Sequence, residues 1–112
     1  MSDPQDASTT AAMNRRRSAR YPCGLNIAIE WGAAVLVGAV KDISAEGMFV
    51  EISAPLWVGA RFAAQLALDE SVSLDCAVRR VEPHRGMALT YTAVQESGRS
   101  AISLLLNRLA AP

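Results

Sequence analysis

Leu25-Asn26-Ile27-Ala28-Ile29-Glu30-Trp31-Gly32 alternates large apolar residues with small or polar ones, and a period of two marks a half-buried β-strand. Leu25, Ile27, Ile29 and Trp31 share one face, while Asn26, Ala28 and Glu30 share the other. Gly32 permits a turn, and the same pattern then recurs down the chain. Val35 to Val40 reads as a second strand, apolar on both faces, and Met48, Val50 and Ile52 alternate with Phe49 and Glu51 in a third. Phe62, Ala64, Leu66 and Leu68 mark a fourth strand. Val72, Leu74, Cys76 and Val78 mark a fifth that runs on toward Val81. Met87, Leu89 and Tyr91 mark a sixth, after a Pro83-His84-Arg85-Gly86 turn. Only the C-terminal segment changes period. Ile102, Leu105, Leu106 and Leu109 stand at i, i+3, i+4 and i+7, one face of a helix for which Ser97 or Ser100 can supply the cap. With no helix between strands, parallel crossover units are disfavoured. The predicted fold class is mainly β: a six-stranded antiparallel β-barrel with a C-terminal α-helix packed on it or closing one end.

Working outward, the 112 residues suit one domain. Residues 1–14 are small and polar, carry Pro4 and show no periodicity, so they are expected to form a disordered tail ahead of a folded domain over 15–112. The longest apolar run, Trp31 to Val40, is broken by Gly32 and Gly38 and falls well short of the roughly 20 residues a spanning helix needs. No hydrophobic stretch precedes the arginines, so a secretory signal is not expected. Cys23 and Cys76 lie far apart and read as small apolar side chains of a reducing, cytoplasmic setting.

Enzyme chemistry finds no foothold. His84 is the sole histidine, set in a turn without a Cys or carboxylate at metal-ligand spacing. No GxSxG elbow, Walker loop or GxGxxG loop occurs, and Asp69-Glu70 sits at a hairpin tip, where solubility accounts for it. The expectation is a protein that is not an enzyme and needs no cofactor or metal.

Charge is the informative feature. The net charge is zero, yet residues 1–20 hold four arginines against two aspartates, +2, and the rest holds seven basic against nine acidic residues, −2. Arg15, Arg16, Arg17 and Arg20 fall within six positions. One compact arginine cluster on a faintly acidic protein suits a small anion better than a long polyanion. Guanidinium is planar, permanently charged and offers paired donors to phosphate oxygens or to the O6/N7 edge of guanine. The second feature is Asp42-Ile43-Ser44-Ala45-Glu46-Gly47. It reads first as hairpin material, with Asp42 able to form an Asx turn and Gly47 able to take a positive φ.

Arg16-Arg17-Ser18-Ala19-Arg20 matches RxxxR, and Asp42 to Gly47 matches DxSxxG. In that order, before the first strand and between the second and third, this pair resembles the PilZ domain, a bacterial receptor module for cyclic di-GMP. Arg20-Tyr21-Pro22, Gly47-Met48-Phe49-Val50 and Gly86-Met87-Ala88-Leu89 are also similar to the family, over about residues 15–110. The resemblance implies a six-stranded barrel with a C-terminal helix and a ligand carrying two phosphates and two guanines. It implies that Arg16 and Arg20 grip phosphate and guanine edges, with Arg15 and Arg17 adding contacts or attraction. Asp42 would accept from guanine N–H donors or orient an arginine, Ser44 would bond to ligand or loop, and Gly47 would keep the turn open. Output would be conformational: an arginine arm over residues 15–20 orders on the ligand and signals to a protein partner, with no nucleic-acid polymer and no membrane involved. The sequence departs from the family near Val78 to Val81, where some relatives supply a stacking aromatic and this chain has Arg79 and Arg80. The competing readings are a PilZ-like interaction module without nucleotide binding, which typically lacks both motifs, and a barrel for RNA or single-stranded DNA. The latter wants exposed aromatics, and here two Trp, two Phe and two Tyr lie mostly at expected core positions.

Overall fold

A computed structural model describes residues 19–111. The strands run in order β1 (Tyr21–Trp31), β2 (Ala34–Ile43), β3 (Gly47–Glu51), β4 (Arg61–Ala67), β5 (Ser71–Glu82) and β6 (Gly86–Val94), followed by helix α1 (Glu96–Ala110). All neighbours pair antiparallel, and the sheet closes in the order β1-β2-β3-β6-β5-β4. Closure leaves no free edge, since the edge partners β1 and β4 pair through Ile27↔Leu66 to Glu30↔Ala63. This is the predicted class.

Period-two alternation fills the interior. Ile27 and Ile29 from β1, Val40 from β2, Met48 and Val50 from β3, Leu66 from β4, Leu74 and Cys76 from β5 and Met87 from β6 are all buried there. Removing apolar surface of this kind from water, at roughly 25 cal/mol per Å², is what drives closure. Burial pushes the Cys76 thiol up to about 12, with Asp75 adding to the shift, so it stays protonated as an apolar filler.

The strands overrun the sequence reading at several ends. β1 begins at Tyr21 rather than Leu25, and β2 continues through Asp42 to Ile43. Neither extension alternates cleanly, because both contain bulges. The helix also starts differently: Gln95 is the N-cap, its side chain caps nothing, and Ser97 and Ser100 lie within the helix. Glu96 in the first turn suits the positive end of the helix dipole instead. Gly98 is buried where α1 meets β5, so close that a Cβ there would lie 3.0 Å from the Val72 side chain. The helix packs on β1 and β5 and buries Ile102 among the strands. Trp57 is an exception to the expectation of buried aromatics: it is 62% exposed, edge-on to Trp31 with ring centroids 5.1 Å apart. Among the described residues no helix is long and apolar enough to cross a membrane.

Candidate functional site

Two β-bulges aim the charged residues. Val40 faces the core, so strict alternation would turn Asp42 inward as well. Instead the β2–β3 register steps from Val40↔Val50 to Asp42↔Phe49, leaving Lys41 as the extra residue. That reverses the phase: Ile43 becomes the buried residue and Asp42 faces outward. β5 does the same. Its register with β6 steps from Val78↔Leu89 to Arg80↔Ala88, leaving Arg79 extra, and Arg79 and Arg80 both emerge exposed. The signal was present in the sequence as Val40-Lys41-Asp42-Ile43 and Val78-Arg79-Arg80-Val81, each with two polar residues between apolar ones where alternation allows one.

These residues surround a groove of about 400 Å³ bordered by Arg20, Ser44, Glu46, Gly47, Arg79, Arg80 and the Ala88 to Thr90 stretch of β6. Three larger clefts border the helix, but the groove is the one that gathers three guanidinium groups. Arg20 and Asp42 are joined: Nε of Arg20 donates to Oδ1 of Asp42 at 2.8 Å, and Nη2 stands at the same distance. The side chains are 47% and 27% exposed, so the pair contributes little to stability and its guanidinium can exchange partners. Arg80 pairs with Glu82 at 3.0 Å. Arg79 makes no ion pair or side-chain hydrogen bond among the described residues.

Of the two roles expected for Ser44, bonding to ligand or to loop, the structure displays the loop contacts. The residue is 1% exposed. Its Oγ accepts from the backbone N–H groups of Glu46 and Gly47 and donates to the Gly47 carbonyl, each at 3.2 Å. The Ser44 N–H donates to the same carbonyl at 2.8 Å. With every hydroxyl site used, the side chain holds the loop shut. The expectation for Gly47 is corrected. Positive φ occurs at Gly32, Gly59 and His84 among the described residues, not at Gly47. Glycine is required there because β6 runs too close: an added Cβ would strike the carbonyl oxygen of Leu89.

Tyr91 completes the loop, a role the sequence reading did not assign. Its hydroxyl donates toward the carbonyls of Ser44 at 3.1 Å and Gly47 at 3.3 Å, and its backbone N–H donates to the Glu46 carbonyl. Burial, with Cys76 next, raises its phenol well above the usual range, so it remains a donor at any ordinary pH. The loop is thus closed on itself by hydrogen bonds from Ser44 and Tyr91, beside the described arginines Arg20, Arg79 and Arg80. Arg15, Arg16 and Arg17 lie outside the described residues. Of the candidate residues described, Arg20, Asp42, Ser44 and Gly47 lie together, and Arg79 and Arg80 lie beside them. No group of three or more His, Cys, Asp or Glu side chains among the described residues could hold a metal.

Comparison with known proteins agrees with this architecture. No curated protein matches the chain. Among solved structures, the crystal structure of the PilZ domain of CeSA from a cellulose-synthesizing bacterium aligns with a TM-score of 0.64 at 21% identity, covering 84% of this chain and all of that one. The structure of the Bacillus subtilis inhibitor of motility, MotI/DgrA, aligns with a TM-score of 0.70 at 21% identity, covering 83% of this chain and 52% of that one. At such identity the likeness is one of fold. The PilZ domain family model matches residues 14–108, and the chain belongs to the PilZ domain family.

Proposed function

We propose that this chain is a receptor for cyclic di-GMP, bound in the groove between Arg20, the Ser44–Gly47 loop and the β5 bulge. PilZ domains are generally receptors for this nucleotide and not enzymes. The observation that carries the reading here is the convergence of Arg20, Arg79 and Arg80 on one groove beside a closed polar loop. A dianionic ligand supplies two phosphates, and three guanidinium groups answer them with charge-assisted hydrogen bonds.

In this reading Arg20 exchanges Asp42 for ligand, and Asp42 either keeps one of its donors or accepts from a guanine. Arg16, four positions earlier, is the second clamp, and Arg15 and Arg17 add attraction. Ser44 and Gly47 act indirectly, by holding the closed loop in place beside Arg20 and β6. Arg79 takes the place that an aromatic occupies in some relatives, since guanidinium stacks on a purine as well as pairing with phosphate. The product is a change of surface in residues 15–20, read by a protein partner in the cytoplasm. One structural neighbour, MotI/DgrA, is an inhibitor of motility. Calorimetric titration tests the proposal: cyclic di-GMP should give a saturable heat that GMP and cyclic di-AMP do not, and absence of any heat with cyclic di-GMP would refute it.

A further inference from the structure

On the far side of α1 from Arg79 lies a second groove, of about 690 Å³, between the β4–β5 hairpin, the start of β1 and the helix. Its floor includes Leu25, Leu68, Leu104 and Leu105. Leu104 is 59% exposed and the other three are half-buried, so apolar surface is contiguous here and not a scattered single residue. The rim carries Asp69 and Glu70, which make no ion pair or side-chain hydrogen bond among the described residues, against one basic residue, Arg108.

We infer that this groove is the resting berth of the chain's own N-terminal segment, with Met13 on the leucines and Arg15 to Arg17 against Asp69 and Glu70. Three observations select that occupant. Eighteen residues precede Ala19, and they enter the fold at the start of β1, the strand whose Leu25 borders the groove. Met13 lies six residues before Ala19, and six extended residues reach roughly 20 Å, about the span of extended chain from Ala19 to Leu25 in β1. The segment also has the complementary chemistry: Ala11-Ala12-Met13, with an adaptable thioether, followed by three arginines for an acidic rim.

The inference rests on the receptor reading for its consequence. The nucleotide groove and this one lie on different sides of the helix, so Arg16 and Arg20 cannot hold a nucleotide while Arg15 to Arg17 stay on Asp69 and Glu70. Binding therefore withdraws the segment and uncovers the leucines of α1.

The test uses the full chain with labelled Met and Leu methyl groups. Without nucleotide, the Met13 methyl should show NOEs to Leu104 and Leu105, unchanged on tenfold dilution. The exposed double substitution Asp69→Lys/Glu70→Lys should abolish them while leaving core methyl shifts such as those of Leu66 in place. Saturating cyclic di-GMP should abolish them too. A Met13 signal without such contacts, contacts that vanish on dilution (a second copy in the groove), or contacts that survive both the substitution and the nucleotide would overturn the inference. Failure of the receptor reading looks different: no nucleotide heat is seen, while the Met13 contacts and their sensitivity to Asp69→Lys/Glu70→Lys persist.

Discussion

Ser44→Ala is expected to cost stability first and binding second. The hydroxyl is buried and accepts two backbone N–H groups, those of Glu46 and Gly47, at 3.2 Å each. Alanine leaves both without that acceptor, and a buried donor left unmade costs about 1–3 kcal/mol. The Glu46 amide is only partly buried, so water relieves some of its share. The sum is about 2–3 kcal/mol, or roughly 8–24 °C in Tm for a folded unit of this size. Urea titration followed by tryptophan fluorescence reads the change as a lower midpoint at constant slope, since the surface exposed on unfolding is unaltered. Asp42→Ala serves as the control. Its exposed ion pair with Arg20 is worth about 0–1 kcal/mol, so that variant should melt close to the parent while losing affinity for the nucleotide. A Ser44→Ala protein with the parent's midpoint but weaker binding would refute the reasoning, because it would place the hydroxyl on the ligand instead of the loop.

Further outcomes are expected. Gly47→Ala should destabilise by about 1–3 kcal/mol or more, because the Leu89 carbonyl belongs to the backbone and cannot swing aside; a parental midpoint would contradict the close approach. Arg79→Ala should weaken cyclic di-GMP binding roughly five- to tenfold, about 1 kcal/mol for an exposed charged contact, with no change in melting; unchanged calorimetric affinity would remove Arg79 from the site. Arg20→Lys should bind nearly as poorly as Arg20→Ala, since the paired donor fork is lost in both; full rescue by lysine would show that charge alone suffices. Cys76 holds its proton longer folded than unfolded, so its contribution is complete below about pH 9.0 and is lost as pH climbs toward about 12, with Tyr91 adding the same sign from about 10.0 upward. Urea midpoints should therefore fall between pH 8.5 and 10.5; a constant midpoint would contradict the burial of both groups.

Most of the fold was legible because burial on one face of a sheet imposes a period of two, and the runs from Leu25 to Trp31 and from Val72 to Val78 keep it without interruption. The extra lengths of β1 and β2 were hidden because bulges break that period at the very residues that build the site. Asp42 and Arg80 are outward only because Lys41 and Arg79 are inserted before them. RxxxR and DxSxxG pointed to Arg20 and to the Asp42–Gly47 loop, which the fold brings side by side, while the contacts made within the second motif were not legible. A serine near a glycine reads as a polar turn, and nothing local announces that Tyr91, more than forty positions on, lays its hydroxyl over the same carbonyls. Gly47 likewise answers to a strand distant in sequence, and glycine's two uses, positive φ and close approach, look identical in a one-dimensional string.

The most direct test of the central claim is a map of backbone amide chemical shifts during titration with cyclic di-GMP. Shifts concentrated at Arg20, Asp42 to Gly47, Arg79 and Arg80 and Ala88 to Thr90, saturating together and absent with Arg20→Ala, are the expected result. A spectrum that does not respond, or one that responds around Trp57 and the Pro83–Gly86 turn while the groove stays silent, would contradict it.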